Sequence, residues 1–148
     1  LSMGFGNPYG ELWSEDIVVN WGEKIARLEV KKIALADTIG VSNVNNITRL
    51  FTTLIPDFPE VEWGAHLHTH PDTWREKLEA AYYSGCIRFD STIKGTGGCP
   101  MAKDDLVGNM PTEKIISYFN SEKIKTNLNV LAFESAHNEA SKLFSKFS

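Results

Sequence analysis

The sequence predicts an α/β fold amounting to half of a (β/α)8 barrel, and three observations carry that expectation. Short apolar runs alternate four times with longer amphipathic stretches, the pattern of parallel strands covered by helices. A residue able to do chemistry follows each apolar run: Asn7, Asp37, His66 with His68, and Cys99. In a barrel of parallel strands that end is the reactive face. The bulk numbers agree with a single domain over residues 1–148: 42% of the residues are hydrophobic, enough for one core.

Taken in order, "LSMGF" reads as a first buried strand, and "GNPYGELWS" carries turn residues at Gly6, Pro8 and Gly10. Ser14 caps a helix opened by Glu15 and Asp16, with Ile17, Val18, Trp21, Ile25 and Leu28 at helical spacing. "KKIALADTIG" is a second strand of the parallel-sheet kind. Ser42 or Asn43 caps the next helix, whose apolar face is Val44, Ile47, Leu50, Phe51 and Leu54, closed by Pro56 and Pro59. "VEWGAHLHTH" is a third strand, followed by a helix from about Thr73 to Tyr83. "GCIRFDSTIKG" is a fourth, leading into a glycine-rich loop. A helix from Pro111 to about Phe119 and a mostly helical stretch from Asn127 to Phe147 complete the chain.

Several function classes are excluded early. The net charge is −4 with scattered lysines, so no basic stripe awaits nucleic acid. No segment resembles a membrane span, a leader or a lipidation motif. Two cysteines, Cys86 and Cys99, do not make a disulfide framework, and a reduced compartment is expected: the cytoplasm, or the mitochondrial matrix in a eukaryote. The chain starts on Leu1, directly on an apolar run, so a piece of a longer protein is expected.

On an unbroken strand His66, His68 and His70 point to one face. Two neutral imidazoles two residues apart can hold one divalent cation. His70, beyond the strand end and before Pro71, reads as an ordinary polar residue. The amide oxygen of Asn109 suits a hard cation, although "GN" is also a turn signal. Asp37 is open between a ligand, a partner to a ligand and a helix cap. Cys99 lies between Gly98 and Pro100 in "GTGGCP", where Gly95, Gly97 and Gly98 give the chain reach. Its thiol is mostly protonated at neutral pH and can donate a proton. Cys86 reads as buried packing.

With those residues in hand, "ALADTIGVSN", "GAHLHTH", "RFDSTIKGTGGCPMA" and "GNMPTEKII" resemble the hydroxymethylglutaryl-CoA lyase family in order and spacing, over roughly Leu1 to Phe119. The resemblance implies strands five to eight of a TIM barrel plus C-terminal helices. It also implies cleavage of a 3-hydroxy-3-methylglutaryl thioester, or a similar 3-hydroxyacyl thioester, to acetyl-CoA and a keto acid. His66, His68 and Asn109 match the family's metal ligands, Cys99 its loop proton carrier, and Asp37 an active-site aspartate. Gly97, Gly98 and Pro100 match the loop that carries the cysteine. The implied cofactor is Mg2+ or Mn2+, with Zn2+ the alternative, and the implied ligand is an acyl-CoA thioester. Related synthases share the paired histidines but not the Gly-Gly-Cys-Pro loop.

The sequence also departs from the family. No "RDG"-like run is present, so the first-strand aspartate ligand and its neighbouring arginine are missing. Thr69 and His70 follow "HLH" where the family has Asp or Asn then Thr, and Gly6-Asn7-Pro8 stands where it often has Gly-Cys-Pro. The tail helices are also shorter than the family's. The expectation is therefore a fragment inactive alone, whose barrel is closed by a missing N-terminal half or by a second copy in a homo-oligomer. The other readings are a non-catalytic half-barrel remnant acting as a structural or assembly partner, and a related acyl-CoA-using synthase.

Overall fold

A computed structural model describes residues 1–98 and 107–146 of the chain. The expected Cys99 and Pro100 of the loop therefore lie outside the described residues. Three parallel strands form the sheet: β1 (Lys32–Ala36), β2 (Glu62–His66) and β4 (Arg88–Phe89), side by side in chain order. Helices α1 (Glu15–Ala26), α2 (Val44–Asp57) and α3 (Trp74–Tyr83) precede or link them, with α1 against α2 and α2 against α3. Strands in chain order beneath helices in chain order is the layout of a barrel wall. A second, two-stranded antiparallel ladder pairs β3 (His68–Thr69) with β5 (Gly108–Asn109). Helices α4 (Thr112–Ser121) and α5 (Val130–Phe144) follow.

Alternation along the strands divides the sheet into two faces. Ile33 and Leu35 of β1 and Trp63 and Ala65 of β2 are buried beneath the helices. There they meet Ile47, Leu50, Phe51 and Leu54 of α2, all at most 1% exposed. Truncating any of these to alanine costs about 2–5 kcal/mol. The opposite face carries Lys32, Glu62, Gly64 and His66, continued by Arg88 and Asp90. A chain of polar contacts crosses it: the ion pairs Lys32–Glu62 at 3.7 Å, Glu62–Arg88 at 3.1 Å and Arg88–Asp90 at 3.2 Å, then Asp90 to the His66 ring at 3.3 Å.

The helix starts follow the sequence. Ser14 accepts from the Ile17 N–H, and Asn43 closes a reciprocal capping box with Asn46. Four expectations need correction. "LSMGF" forms no regular strand: Met3 has φ 57°, and the segment joins β1 through the Leu1 ammonium donating to Ala34 O, the Ala36 N–H donating to Leu1 O and the Gly4 N–H donating to Ala36 O. The run "VEWGAHLHTH" breaks at Leu67, because His68 and Thr69 pair with β5 rather than with β1. The fourth strand shrinks to Arg88–Phe89. Val44, Trp21 and Leu28 face solvent, and Trp21 instead lies 4.3 Å from the Lys24 ammonium.

Candidate metal centre

Three of the residues expected to hold a metal come together at the C-terminal end of the sheet. His66 ends β2, and its ring lies 5.6 Å from that of His68, edge to face. His68 is directly opposite Asn109 in the β3–β5 register, so their side chains are neighbours on one face of the ladder. The break at Leu67 thus changes His68's strand partner and keeps the histidine pair intact.

Each imidazole is held through Nδ1. His68 Nδ1 meets the backbone oxygen of Asp37, and His66 Nδ1 lies 3.3 Å from Asp90 Oδ2. A carbonyl oxygen only accepts, so His68 carries a proton on Nδ1, and in the neutral ring the lone pair is on Nε2. This arrangement orients a histidine for a cation. Asn109 is fixed three ways: its N–H donates to Gly97 O at 3.1 Å, its Nδ2 to Thr96 O at 3.0 Å, and its strand pairs with β3. The donor set of two imidazole nitrogens and an amide oxygen fits part of a divalent-cation shell. Among the described residues, no group of three or more His, Cys, Asp or Glu side chains is placed to hold a metal.

Asp37 does not cap α2, whose N-cap is Asn43; its carboxylate instead pins the turn that leads into that helix. Its carboxylate is fully buried and accepts from the Val41 N–H at 2.8 Å, the Ser42 N–H at 3.1 Å and the Ser42 hydroxyl. Lys77 Nζ completes the group, 3.3 Å from Asp37 Oδ2 and donating to His68 O at 2.8 Å. The tie to the histidine pair therefore runs through Asp37's backbone oxygen, with the carboxylate turned into the fold. His70 Nδ1 lies 3.6 Å from the carboxylate of the exposed Asp72, apart from the other two histidines.

The glycines before Cys99 are packed as well as permissive. A methyl on Gly95 would fall 2.7 Å from Asn109 O, and one on Gly98 would fall 2.8 Å from Val107 O. Backbone thus lies against backbone where the loop leaves the ladder. A cleft of about 690 Å3 opens beside it, lined by Asn7, Gly40, Ser42, His70, Lys77 and Val107 among others. Neither His66 nor His68 lines this cleft, so it flanks the histidine pair.

Lys77 and Asp90 were not singled out in the sequence, yet both carried a signal. Trp74, Lys77, Leu78 and Ala81 share one helical stripe, so a lysine sits where an apolar residue is due. Asp90 ends its apolar run as Asp37 ends its own.

Fold and site together define the C-terminal half of a (β/α)8 barrel with a histidine pair at its reactive end. The chain belongs to the HMGL-like family, whose model matches residues 3–139. It is 30% identical over 128 residues to a hydroxymethylglutaryl-CoA lyase of Bacillus subtilis, covering 86% of this chain and 42% of that protein. It is 29% identical over 136 residues to an (R)-citramalyl-CoA lyase of Chloroflexus aurantiacus, covering 92% and 43%. Among solved structures, the Bacillus subtilis HMG-CoA lyase superposes with a TM-score of 0.87 at 28% identity, over 98% of this chain and 48% of that one. An HMG-CoA lyase from Acinetobacter baumannii in complex with coenzyme A and 3-methylmalate gives 0.84 at 28% identity, over 97% and 47%. The chain spans less than half the length of these relatives. Among the described residues, no helix is long and apolar enough to cross a membrane.

Proposed function

We propose that this chain is the metal-binding half of a carbon–carbon lyase acting on 3-hydroxy-3-methylglutaryl-CoA or a similar 3-hydroxyacyl thioester. The observation that carries this reading is the juxtaposition of His66, His68 and Asn109, with both histidines held through Nδ1. A divalent cation, Mg2+ or Mn2+ in preference to Zn2+, would supply Lewis acidity if held there. His66 and His68 present imidazole nitrogen, and Asn109 presents its amide oxygen. When the C2–C3 bond breaks, the 3-hydroxyl loses its proton to solvent water and becomes a ketone, the electron pair passes to the thioester enolate, and the Cys99 thiol protonates that enolate to acetyl-CoA before being reprotonated by solvent. The family resemblance supports that role. Asp37 and Lys77 keep the histidine strand in place.

The ligand set needs a further charged oxygen, and the substrate needs a cationic partner, from outside this chain. Support for a closing partner comes from the open side of β4. A groove of about 560 Å3 is lined there by Tyr82, Ile87, Phe89, Ile115, Phe119 and Leu128 among others, with Ile87 77% exposed. An N-terminal half, or a second copy, seated on that edge closes the barrel and restores turnover. The chain alone is then inactive. The incomplete donor set among the described residues also favours a second reading, a half-barrel kept as an assembly partner.

Mn2+ titration of the chain, followed by the loss of free-ion paramagnetic resonance, decides between the two. The lyase reading expects saturable binding that His68→Gln weakens at least tenfold. Failure of the wild-type chain, complemented by its N-terminal half, to bind Mn2+ below millimolar concentration refutes it. In the complemented protein, Cys99→Ala should abolish acetoacetate release while leaving Mn2+ affinity unchanged, and equal loss of both would remove Cys99 from proton transfer. Light scattering that finds a stable monomer at micromolar concentration rules out the second copy.

A further inference from the structure

We propose that Arg88 is a positioning residue: from a seat on Gly64 it orients Asp90, and Asp90 in turn holds His66 with its proton on Nδ1. The inference rests on the reading of His66 as a metal ligand. It concerns a residue on a neighbouring strand that touches neither histidine.

The seat is built by register. Arg88 pairs with Gly64 across the parallel β2–β4 ladder, and its guanidinium lies over the glycine. A Cβ placed on Gly64 would fall 2.5 Å from Arg88 Cζ and 2.8 Å from Nε. Glycine inside a strand weakens it and marks a site where another group approaches closely. Here Gly64 is the middle residue of the central strand, and what approaches it is a guanidinium.

From that seat Arg88 reaches two carboxylates, and only one of them by a hydrogen bond. Nε lies 3.1 Å from Glu62 Oε1 without hydrogen-bond alignment. Nη1 donates to Asp90 Oδ1 at 3.2 Å. That bond occupies one carboxylate oxygen and leaves the other, Oδ2, facing His66 Nδ1 at 3.3 Å. The backbone of Asp90 is anchored separately, its N–H donating to Ala65 O at 2.9 Å. The side-chain rotation of Asp90 is therefore the freedom that Arg88 removes. His68 is oriented by a backbone oxygen that cannot rotate, whereas His66 depends on a carboxylate that can. A carboxylate behind a metal-binding histidine is commonly worth about 10–100-fold in metal affinity. An arginine one bond further out should account for a smaller factor, roughly threefold to tenfold.

The test reads the tautomer of His66 directly, by 15N–13C correlation of the labelled 148-residue chain at pH 8 without metal. The wild type should show His66 protonated on Nδ1. Arg88→Met should move it toward the Nε2-protonated form that free imidazole favours, with the His68 signals unchanged. Gly64→Ala keeps the arginine and displaces its guanidinium; it should move His66 in the same direction and serves if Arg88→Met does not fold. A wild-type His66 protonated on Nε2, or a His66 signal unmoved in a folded variant, overturns the proposal. Mn2+ titration of the same samples separates the two levels. Mn2+ binding that His68→Gln weakens supports the metal reading, while the tautomer shift alone decides the role of Arg88.

Discussion

Lysine 77 offers the sharpest check on how the histidine strand is held. Its side chain is 5% exposed and that of Asp37 is 0% exposed, with 3.3 Å between Nζ and Oδ2. Lys77→Met keeps the length and removes the charge. Breaking a buried pair typically costs about 3–5 kcal/mol, because one charge is left uncompensated. Here Asp37 retains the Val41 and Ser42 N–H groups and the Ser42 hydroxyl, which places the pair's loss near the low end, about 3 kcal/mol. His68 O also loses its donor at 2.8 Å, adding about 1 kcal/mol. The sum, about 4 kcal/mol, lowers the melting temperature by about 10 °C for a chain of this size. Asp37→Asn leaves the ammonium buried and should cost about as much. The double variant removes both charges and should be less destabilised than the sum of the singles, with a coupling of about 2 kcal/mol. Urea unfolding followed by tryptophan fluorescence measures all three. A cost below about 1 kcal/mol for Lys77→Met, or strict additivity in the double variant, refutes the argument.

Three further outcomes follow from the same geometry. Burial pushes the Cys86 thiol from 9.0 to about 11. The unfolded chain thus ionises it first, and stability falls as pH rises from 9 to 11, by about 3 kcal/mol; Cys86→Ala should flatten that part of the wild-type profile in paired urea melts. Asn43→Ala deletes the capping box with Asn46 and should cost about 1–2 kcal/mol by the same melts; an unchanged midpoint would show that the cap contributes nothing. Gly40 has φ +73°, and a Cβ there would meet Val107 Cγ1 at 2.6 Å. Gly40→Ala should therefore cost about 1–3 kcal/mol, and a neutral result would show that Val107 yields freely.

Helix starts and core faces were legible because capping and periodicity are local. Ser14, Asn43 and the stripe from Ile47 to Leu54 stand where the sequence puts them. The break at Leu67 was not legible, since "AHLHTH" alternates without interruption and the partner that redirects it lies about forty residues on. The first apolar run misled for a related reason: composition does not reveal that Met3 adopts a positive φ. The histidine pair and Asn109 were readable as donor types at suggestive spacings, but their meeting depends on a two-residue ladder. Asp37 shows a deeper ambiguity. A carboxylate after a strand suits a helix cap, a ligand and a partner to a ligand equally, and the sequence did not show that Asn43 takes the cap while Asp37 pairs with Val41, Ser42 and Lys77.

The brevity of the β3–β5 ladder sets how the site breathes. His68 and Asn109 face each other across two residues per strand, outside the three-stranded sheet. Such a ladder can open while the sheet and α2 stay folded, so its amides should exchange with solvent well before those of β1 and β2. Open, it separates the imidazole from the amide oxygen. On the proposed metal reading, the affinity for a cation would then include the free energy of zipping two residue pairs, and only the zipped fraction of molecules would be competent to bind. A bound ion would in turn hold the ladder shut and slow that exchange, joining the occupancy of the site to the order of the strand that carries it.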